Sequence, residues 1–234
     1  MTGIYQQLEI PNGDKATSIT ETEGEYIYNF LKDNNLKKTL EVGFAYGCST
    51  AYIISATKSI HYVIDPSQGL YFNLGLENME KLGLKKYLNL KNDFSHNVLP
   101  GLLKKNVKID FAFIDGGHKF DDIFIDFYYI DLLLNHKGYI LFHDSWMRST
   151  QYVVSWIKNN KKNYKIVKTP VNSLTLIQKL GEDVREWCHF KDFFIIKRGL
   201  FLKNVFLKFL SALGFGRFFK NSLPDKKRNN LNGK

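Results

Sequence analysis

The chain predicts an α/β fold, doubly wound, with a mostly parallel sheet and helices on both faces. Three observations carry that expectation. Five short apolar runs, at 39–43, 61–65, 87–90, 109–115 and 139–144, are rich in Val, Ile, Leu, Phe and Tyr and read as buried strands. Helical-looking segments alternate with them. Lys137-Gly138 supplies a helix-to-strand turn before the fifth run. Strand and helix in strict alternation point to right-handed crossovers and parallel pairing.

The helices are expected at 21–34, 49–56, 71–82, 120–134 and 148–160. Two later runs, 164–167 and 174–178, flank a loop containing Pro170 and read as an antiparallel pair added at the sheet edge. The rhythm ends near residue 180. Domain limits follow from that change: a catalytic domain at 1–180, a basic amphipathic extension at 181–222, and a tail at 223–234 whose Pro, Asp, Lys, Arg and Asn predict disorder.

With 234 residues the chain can bury one sizeable core, and 44% apolar with 24% charged residues is ordinary for a globular protein. Two cysteines, Cys48 and Cys188, make no disulfide framework, so a reducing, cytoplasmic setting is expected. Residues 1–9 lack a basic region followed by an apolar run, as a signal peptide requires. The net charge of +10 is local. From Arg185 to the end there are 12 Lys+Arg against 3 Asp+Glu, whereas the rest holds 21 against 20. At 197–220, Leu and Phe recur at helical spacing with lysines between them, too interrupted for a membrane span. Such a helix either contacts anionic membrane peripherally, at the inner face, or packs on the body or a second subunit. Its apolar content argues against nucleic acid.

The segment Glu41-Val-Gly-Phe-Ala-Tyr-Gly-Cys-Ser-Thr50 looks like a strand ending in a glycine-relaxed turn that opens a helix. In an open α/β sheet a ligand sits beyond the carboxyl ends of the strands. Gly43 and Gly47 let backbone approach it, while Ser49 and Thr50 stand where free N–H groups can hold a carboxylate. Asp65, at the end of the second strand, either accepts hydrogen bonds from a ribose diol or caps the following turn. The spacing lacks both G-x-G-x-x-G and Gly-Lys-Ser/Thr, which disfavours a dinucleotide site and excludes a P-loop.

Two acid–imidazole pairs end the next strands: Asp115 with His118, and His143 with Asp144. Asp115, Asp144 and His143 would offer a hard divalent ion two oxygens and a nitrogen. His118 could then remove a proton from a hydroxyl. His143 either binds the ion or orients Asp144 from behind. His61, His96, His136 and His189 read as satisfied core or surface residues.

Taken together, Glu41-Val-Gly-x-x-x-Gly-x-Ser49, Asp65, Asp115-x-x-His118 and His143-Asp144 resemble the class I S-adenosylmethionine-dependent O-methyltransferases. The look is closest to the metal-dependent macrocin and mycinamicin type of sugar enzymes, and catechol O-methyltransferase is more distant. The resemblance spans about residues 20–180. It implies a seven-stranded doubly wound sheet with the last strand antiparallel. It also implies that Gly43, Gly47 and Ser49 hold the methionine part of S-adenosylmethionine, that Asp65 holds the ribose, and that Glu41 shapes the pocket. Asp93 and Phe94 would lie beside the adenine. Asp115 would border the cofactor and, with His143 and Asp144, bind Mg2+, and His118 would be the general base. The sequence departs from the pattern at His143, where the sugar enzymes carry Glu and the catechol enzyme Asp. A neutral imidazole there would favour a softer ion.

The expected partner is a hydroxyl acceptor, small-molecule or glycan. Loops carrying Tyr5, Tyr71, Phe72, Trp146, Tyr152 and Trp187 would cover it. Two rivals keep other classes open: a metal-free enzyme relying on His118 and His143, and a membrane-associated binding protein with an inert body.

Overall fold

The computed structural model describes residues 3–15 and 18–195. The helix expected at 197–220 and the tail expected at 223–234 lie outside the described residues. Seven strands form one sheet in the order β3-β2-β1-β4-β5-β7-β6. They are β1 (Thr39–Val42), β2 (His61–Ile64), β3 (Leu88–Lys91), β4 (Ile109–Ile114), β5 (Leu134–Phe142), β6 (Tyr164–Val167) and β7 (Thr175–Lys179). β1 pairs in parallel with β2 and β4, and β4 with β5. β7 runs antiparallel to both neighbours, β5 and β6. This is the doubly wound, seven-stranded architecture expected, with its order reversing between β1 and β4.

Helices α1 (Ile4–Gln7), α2 (Glu21–Asp33), α3 (Cys48–Thr57), α4 (Leu74–Lys81), α5 (Ser95–Lys104), α6 (Phe120–Leu133) and α7 (Arg148–Asn160) complete the chain order. The sheet residues alternate between two cores, as a period of two requires. Val63, Phe111, Phe113, Leu141 and Leu176 face α2 and α3. Leu40, Ala112, Ile114, Ile140 and Phe142 face α5, α6 and α7.

α2 starts at a capping box, where Thr20 N–H donates to Glu23 Oε2 at 2.6 Å and Glu23 N–H to Thr20 Oγ1 at 3.3 Å. Gly24 on this helix lets it press against α3: a Cβ there would stand 2.2 Å from the Tyr52 ring.

Three local readings need correction. α4 begins at Leu74 and not at 71, because Phe72 and Asn73 take left-handed φ of 53° and 60°, which no helix can pass through. α5 answers to no element in the sequence reading, since Pro100 argues against a helix interior. The proline costs one ladder bond, yet Leu99 and Leu102 are buried against α6 and hold the turn. Strand β5 opens at Leu134, ahead of the Lys137-Gly138 turn. Ile109 pairs with Leu134 and Phe111 with Tyr139, so residues 135–138 bulge out, with Lys137 at φ 65°.

The body also extends past 180. Met1–Phe194 forms one unit. Lys161 Nζ reaches Asp131 at 2.6 Å and Asp183 at 2.7 Å. Asn160 holds Lys191 through both its amide atoms, at 3.0 and 2.7 Å. Residues 181–194 therefore pack on α7 within this unit. Among the described residues, no helix is long and apolar enough to cross a membrane.

Candidate active site

The crevice opens where β1 and β4 diverge, beyond their carboxyl ends. Gly43 takes φ 97°, and a Cβ on it would lie 2.3 Å from the Asp115 carbonyl oxygen. Only glycine permits the two strand tips to meet so closely. Gly47 takes φ 74° and caps α3, whose first N–H groups face the same space. Gly43 borders a cavity of about 620 Å³ that runs from the β1 turn and Tyr46 to Phe94, His96 and the flank of α6. That volume suits a nucleoside-sized ligand, within the roughly 300–1,000 Å³ range of small-molecule sites.

Asp65 lines this cavity, and its carboxylate also holds the glycine turn in place. Oδ2 accepts from Phe44 N–H at 2.8 Å and Ala45 N–H at 2.9 Å, and Oδ1 from Ser67 N–H at 2.6 Å. Asp65 thus organises the turns at the cavity's edge.

Glu41 is fully buried beneath the floor. It accepts from the Ser49 and Thr50 hydroxyls and faces His61 Nε2 at 3.0 Å, while His61 Nδ1 meets Thr39 Oγ1 at 2.8 Å. The Ser49 hydroxyl therefore points down to Glu41, so its contribution to a ligand is its backbone at the start of α3. Cys48 also borders the cavity, but burial pushes its thiol up to about 12 and keeps it unreactive.

The adenine-side residues divide. Phe94 lines the cavity and stacks on His96, with ring centroids 5.4 Å apart. His96, read from the sequence as a bystander, thus belongs to the wall. Asp93 does not reach it. Its Oδ1 accepts from Phe94 N–H at 2.7 Å and Asn97 Nδ2 at 2.9 Å, which ties it to the start of α5 instead.

Next to Gly43, at the ends of β4 and β5, stand the acid–imidazole pairs. His118 Nε2 lies 3.3 Å from Asp144 Oδ2. Among the described residues, Asp115, His118 and Asp144 place one ligand atom each within 4.8 Å of one another, a set able to hold a metal ion. Asp144 sits at φ 48°, a strained setting for a non-glycine residue at the strand exit. Burial pushes the Asp115 carboxyl up, and His143 opposes that shift.

His143, expected either to bind the ion or to orient Asp144 from behind, lies between Glu23 on α2 and Asp115 at the β4 tip. Its Nε2 faces Glu23 Oε1 at 3.3 Å and its Nδ1 faces Asp115 Oδ1 at 3.0 Å, with Asp144 Oδ2 at 3.5 Å. Nδ1 is poorly aligned for a hydrogen bond, so this contact is mainly ionic. Burial disfavours the charged ring, but close contact with Asp115 and Glu23 outweighs it and raises the imidazole to about 10. Through these contacts His143 is the counter-ion of the carboxylates.

Two residues in or behind this site escaped the sequence reading. Glu23 is held at about 2, where burial works against its charge and His143, Ser173 and Thr20 overcome it. Asp126 is buried on α6 and borders the cavity. Each left a signal. Glu23 completes a Thr-x-x-Glu cap, and Asp126 falls in the apolar stripe of Ile123, Phe127 and Ile130.

Residues 40–145 match a protein family described as a methyltransferase domain. No curated protein matches the chain in sequence. Solved structures share its fold. An O-methyltransferase from Bacillus cereus, in complex with S-adenosylhomocysteine, aligns with a TM-score of 0.62 at 14% identity, over 71% of this chain and 84% of that one. The methyltransferase PaMTH1 of Podospora anserina, also bound to S-adenosylhomocysteine, gives 0.63 at 16% over 76% and 88%. The O-methyltransferase TomG of Streptomyces achromogenes, involved in tomaymycin synthesis and bound to S-adenosylmethionine, gives 0.62 at 12% over 76% and 89%.

Proposed function

From a body with a class I methyltransferase fold and a matched methyltransferase domain, we propose that this chain is an S-adenosylmethionine-dependent O-methyltransferase, acting on a hydroxyl of a saccharide, glycoconjugate or small natural product. One observation supports this most: one cavity is lined by the β1 turn at Gly43, by Asp65 at the β2 tip and by Asp115 and His118, whose ligand atoms lie within 4.8 Å of one from Asp144. The cavity fits the cofactor chemically. Gly43 and the α3 N-terminus suit its amino-acid end, and Phe94 with His96 offer its base a flat wall.

S-adenosylmethionine supplies an electrophilic methyl group on sulfur, and a divalent cation beside it would lower the pKa of an acceptor hydroxyl. Asp115 and Asp144 provide hard oxygen donors for such an ion, Mg2+ foremost. With Nε2 turned to Asp144, His118 keeps Nδ1 for the acceptor proton. His143, held charged by Asp115 and Glu23, takes no proton and fixes the Asp115 carboxylate in place. The walls hold acceptor and donor in line, a positioning effect worth up to about 7–11 kcal/mol in well-oriented reactions. Trp146, exposed at the mouth, donates from its indole N–H to Asp144 Oδ1 at 2.9 Å and offers a stacking face for a ring-bearing acceptor.

A metal-free reaction is the second reading, favoured by the direct His118–Asp144 contact at 3.3 Å. Here His118 acts alone, because a charged His143 is no base. Transfer of labelled methyl from S-adenosylmethionine to a panel of glycans and phenols, with Mg2+ and with EDTA, tests both. Product formed only with the metal supports the first reading, and EDTA-insensitive product the second. No product on any hydroxyl, from a protein that binds the cofactor, would remove O-methylation.

A further inference from the structure

The segment after β7 is pinned to α7, yet its apolar side chains stand in solvent. Lys161 Nζ holds Asp183 at 2.7 Å, and the Arg185 guanidinium lies 5.4 Å from the centre of the Trp156 ring. Asn160 clasps the Lys191 backbone, and the Ser155 hydroxyl donates to the Phe194 carbonyl at 3.0 Å. On that fixed backbone Val184, Trp187, Phe190 and Phe194 are 88%, 99%, 65% and 69% exposed. Trp187, expected over the acceptor, does not line the cavity. A set of large apolar side chains held in solvent by a tethered backbone marks a contact surface.

Charge identifies what that surface meets. Within the segment, Arg185 and Lys191 stand against Glu182, Asp183, Glu186 and Asp192, so it has no positive excess of its own. Its surroundings supply one. Lys158 and Lys162, at and just past the end of α7, are exposed beside the residues that grip the segment. Residues 196–234 hold 10 Lys+Arg against 1 Asp, with Leu and Phe between the charges. The core of a protein–protein interface is depleted of lysine, whereas aromatic rings flanked by lysine suit the headgroup layer of a bilayer. Apolar anchors and a basic patch are each weak alone and together hold a protein at a membrane.

We propose that residues 184–194 form a membrane-contact face, which seats Trp187 and Phe190 in the headgroup layer of an anionic lipid bilayer and is drawn there by the basic residues around it. The contact expected at 197–220 thus gains anchors within the described body. It is independent of the cofactor and of the reaction.

The test is flotation of the full chain with vesicles of phosphatidylcholine alone, or with about one-third phosphatidylglycerol, at about 0.1 M and about 1 M salt, where the screening length falls from about 10 Å to about 3 Å. Each Lys or Arg near an anionic surface is worth roughly fivefold in binding, so wild type should float with the anionic vesicles at the lower salt and bind at least about tenfold more weakly to neutral ones or at the higher salt. Trp187→Ser should cost about tenfold in partition, and adding Phe190→Ser should cost more. Trp187 stands in solvent, so Trp187→Ser should keep the wild-type Tm. Wild type that floats with neither vesicle overturns the proposal, as does equal binding to neutral and anionic ones. Flotation unchanged in the double variant places the contact elsewhere and overturns it too. A wild-type dimer in light scattering that the double variant splits, with no flotation, would give the face to a second copy of the chain and overturn the lipid assignment.

Discussion

His143 and Glu23, 120 residues apart in the chain, face each other at 3.3 Å across the interior edge of the site. The contact ties the start of α2 to the end of β5, and Asp115 closes it from the other side at 3.0 Å. These contacts favour the charged form of the His143 ring.

A pH signature follows from that pair. His143 is raised to about 10 from an ordinary 6.5, so its stabilisation is complete below about 6.5 and is lost as pH climbs towards 10. Glu23 is lowered to about 2 from 4.5, so its share is present above about 4.5 and is lost as pH falls towards 2. Removing one partner of a buried pair typically costs about 3–5 kcal/mol. His143→Gln should lower the Tm at pH 6 and flatten its fall between pH 6.5 and 9.5. A variant whose Tm tracks wild type in parallel across that window would show that His143 is not the charged partner.

The glycine turn gives a graded prediction. In Gly43→Ala the new methyl meets the Asp115 backbone at 2.3 Å, whereas in Gly47→Ala it meets the Phe44 and Met79 side chains at 3.0 and 3.1 Å and backbone only at the Gly75 carbonyl, 3.3 Å away. Backbone cannot yield as side chains do. Gly43→Ala should destabilise by more than about 2 kcal/mol and abolish cofactor binding. Gly47→Ala should show about 1 kcal/mol, the strain of a left-handed φ alone. Chemical denaturation of both reads the order, and equal losses would contradict it.

His118→Ala should retain cofactor affinity while turnover falls by about 10²–10⁴, the usual worth of a positioned base. Stopped-flow or endpoint methyl transfer beside calorimetry separates the two. Unchanged turnover would remove His118 from the chemistry.

Much of the fold was legible because buried parallel strands announce themselves as short apolar runs, and β1, β2, β4 and β6 fall within a residue of their expected limits. Misreadings came where tertiary contacts override local signals. The α5 helix survives Pro100 through packing on α6. Asp65 was recognisable from its place after β2, but its grip on the Phe44 and Ala45 amides depends on a turn no spacing reveals. The role of His143 was hidden for the same reason: its partner Glu23 lies on another helix, and at the level of sequence it serves only as a cap. Asp126 stood in plain view as an acid in an apolar stripe.

The metal reading has its own variant. Asn tolerates the left-handed φ of 48° at position 144, so Asp144→Asn should fold while losing a charged donor. Mg2+ should raise the Tm of wild type and leave that of Asp144→Asn unchanged. An identical Mg2+ response in both would place the ion elsewhere.

The most direct test of the account is calorimetric binding of S-adenosylmethionine to the purified full chain. It predicts one site per chain with micromolar affinity, lost in Gly43→Ala and retained in His118→Ala. Folded wild-type protein that takes up no S-adenosylmethionine would contradict it.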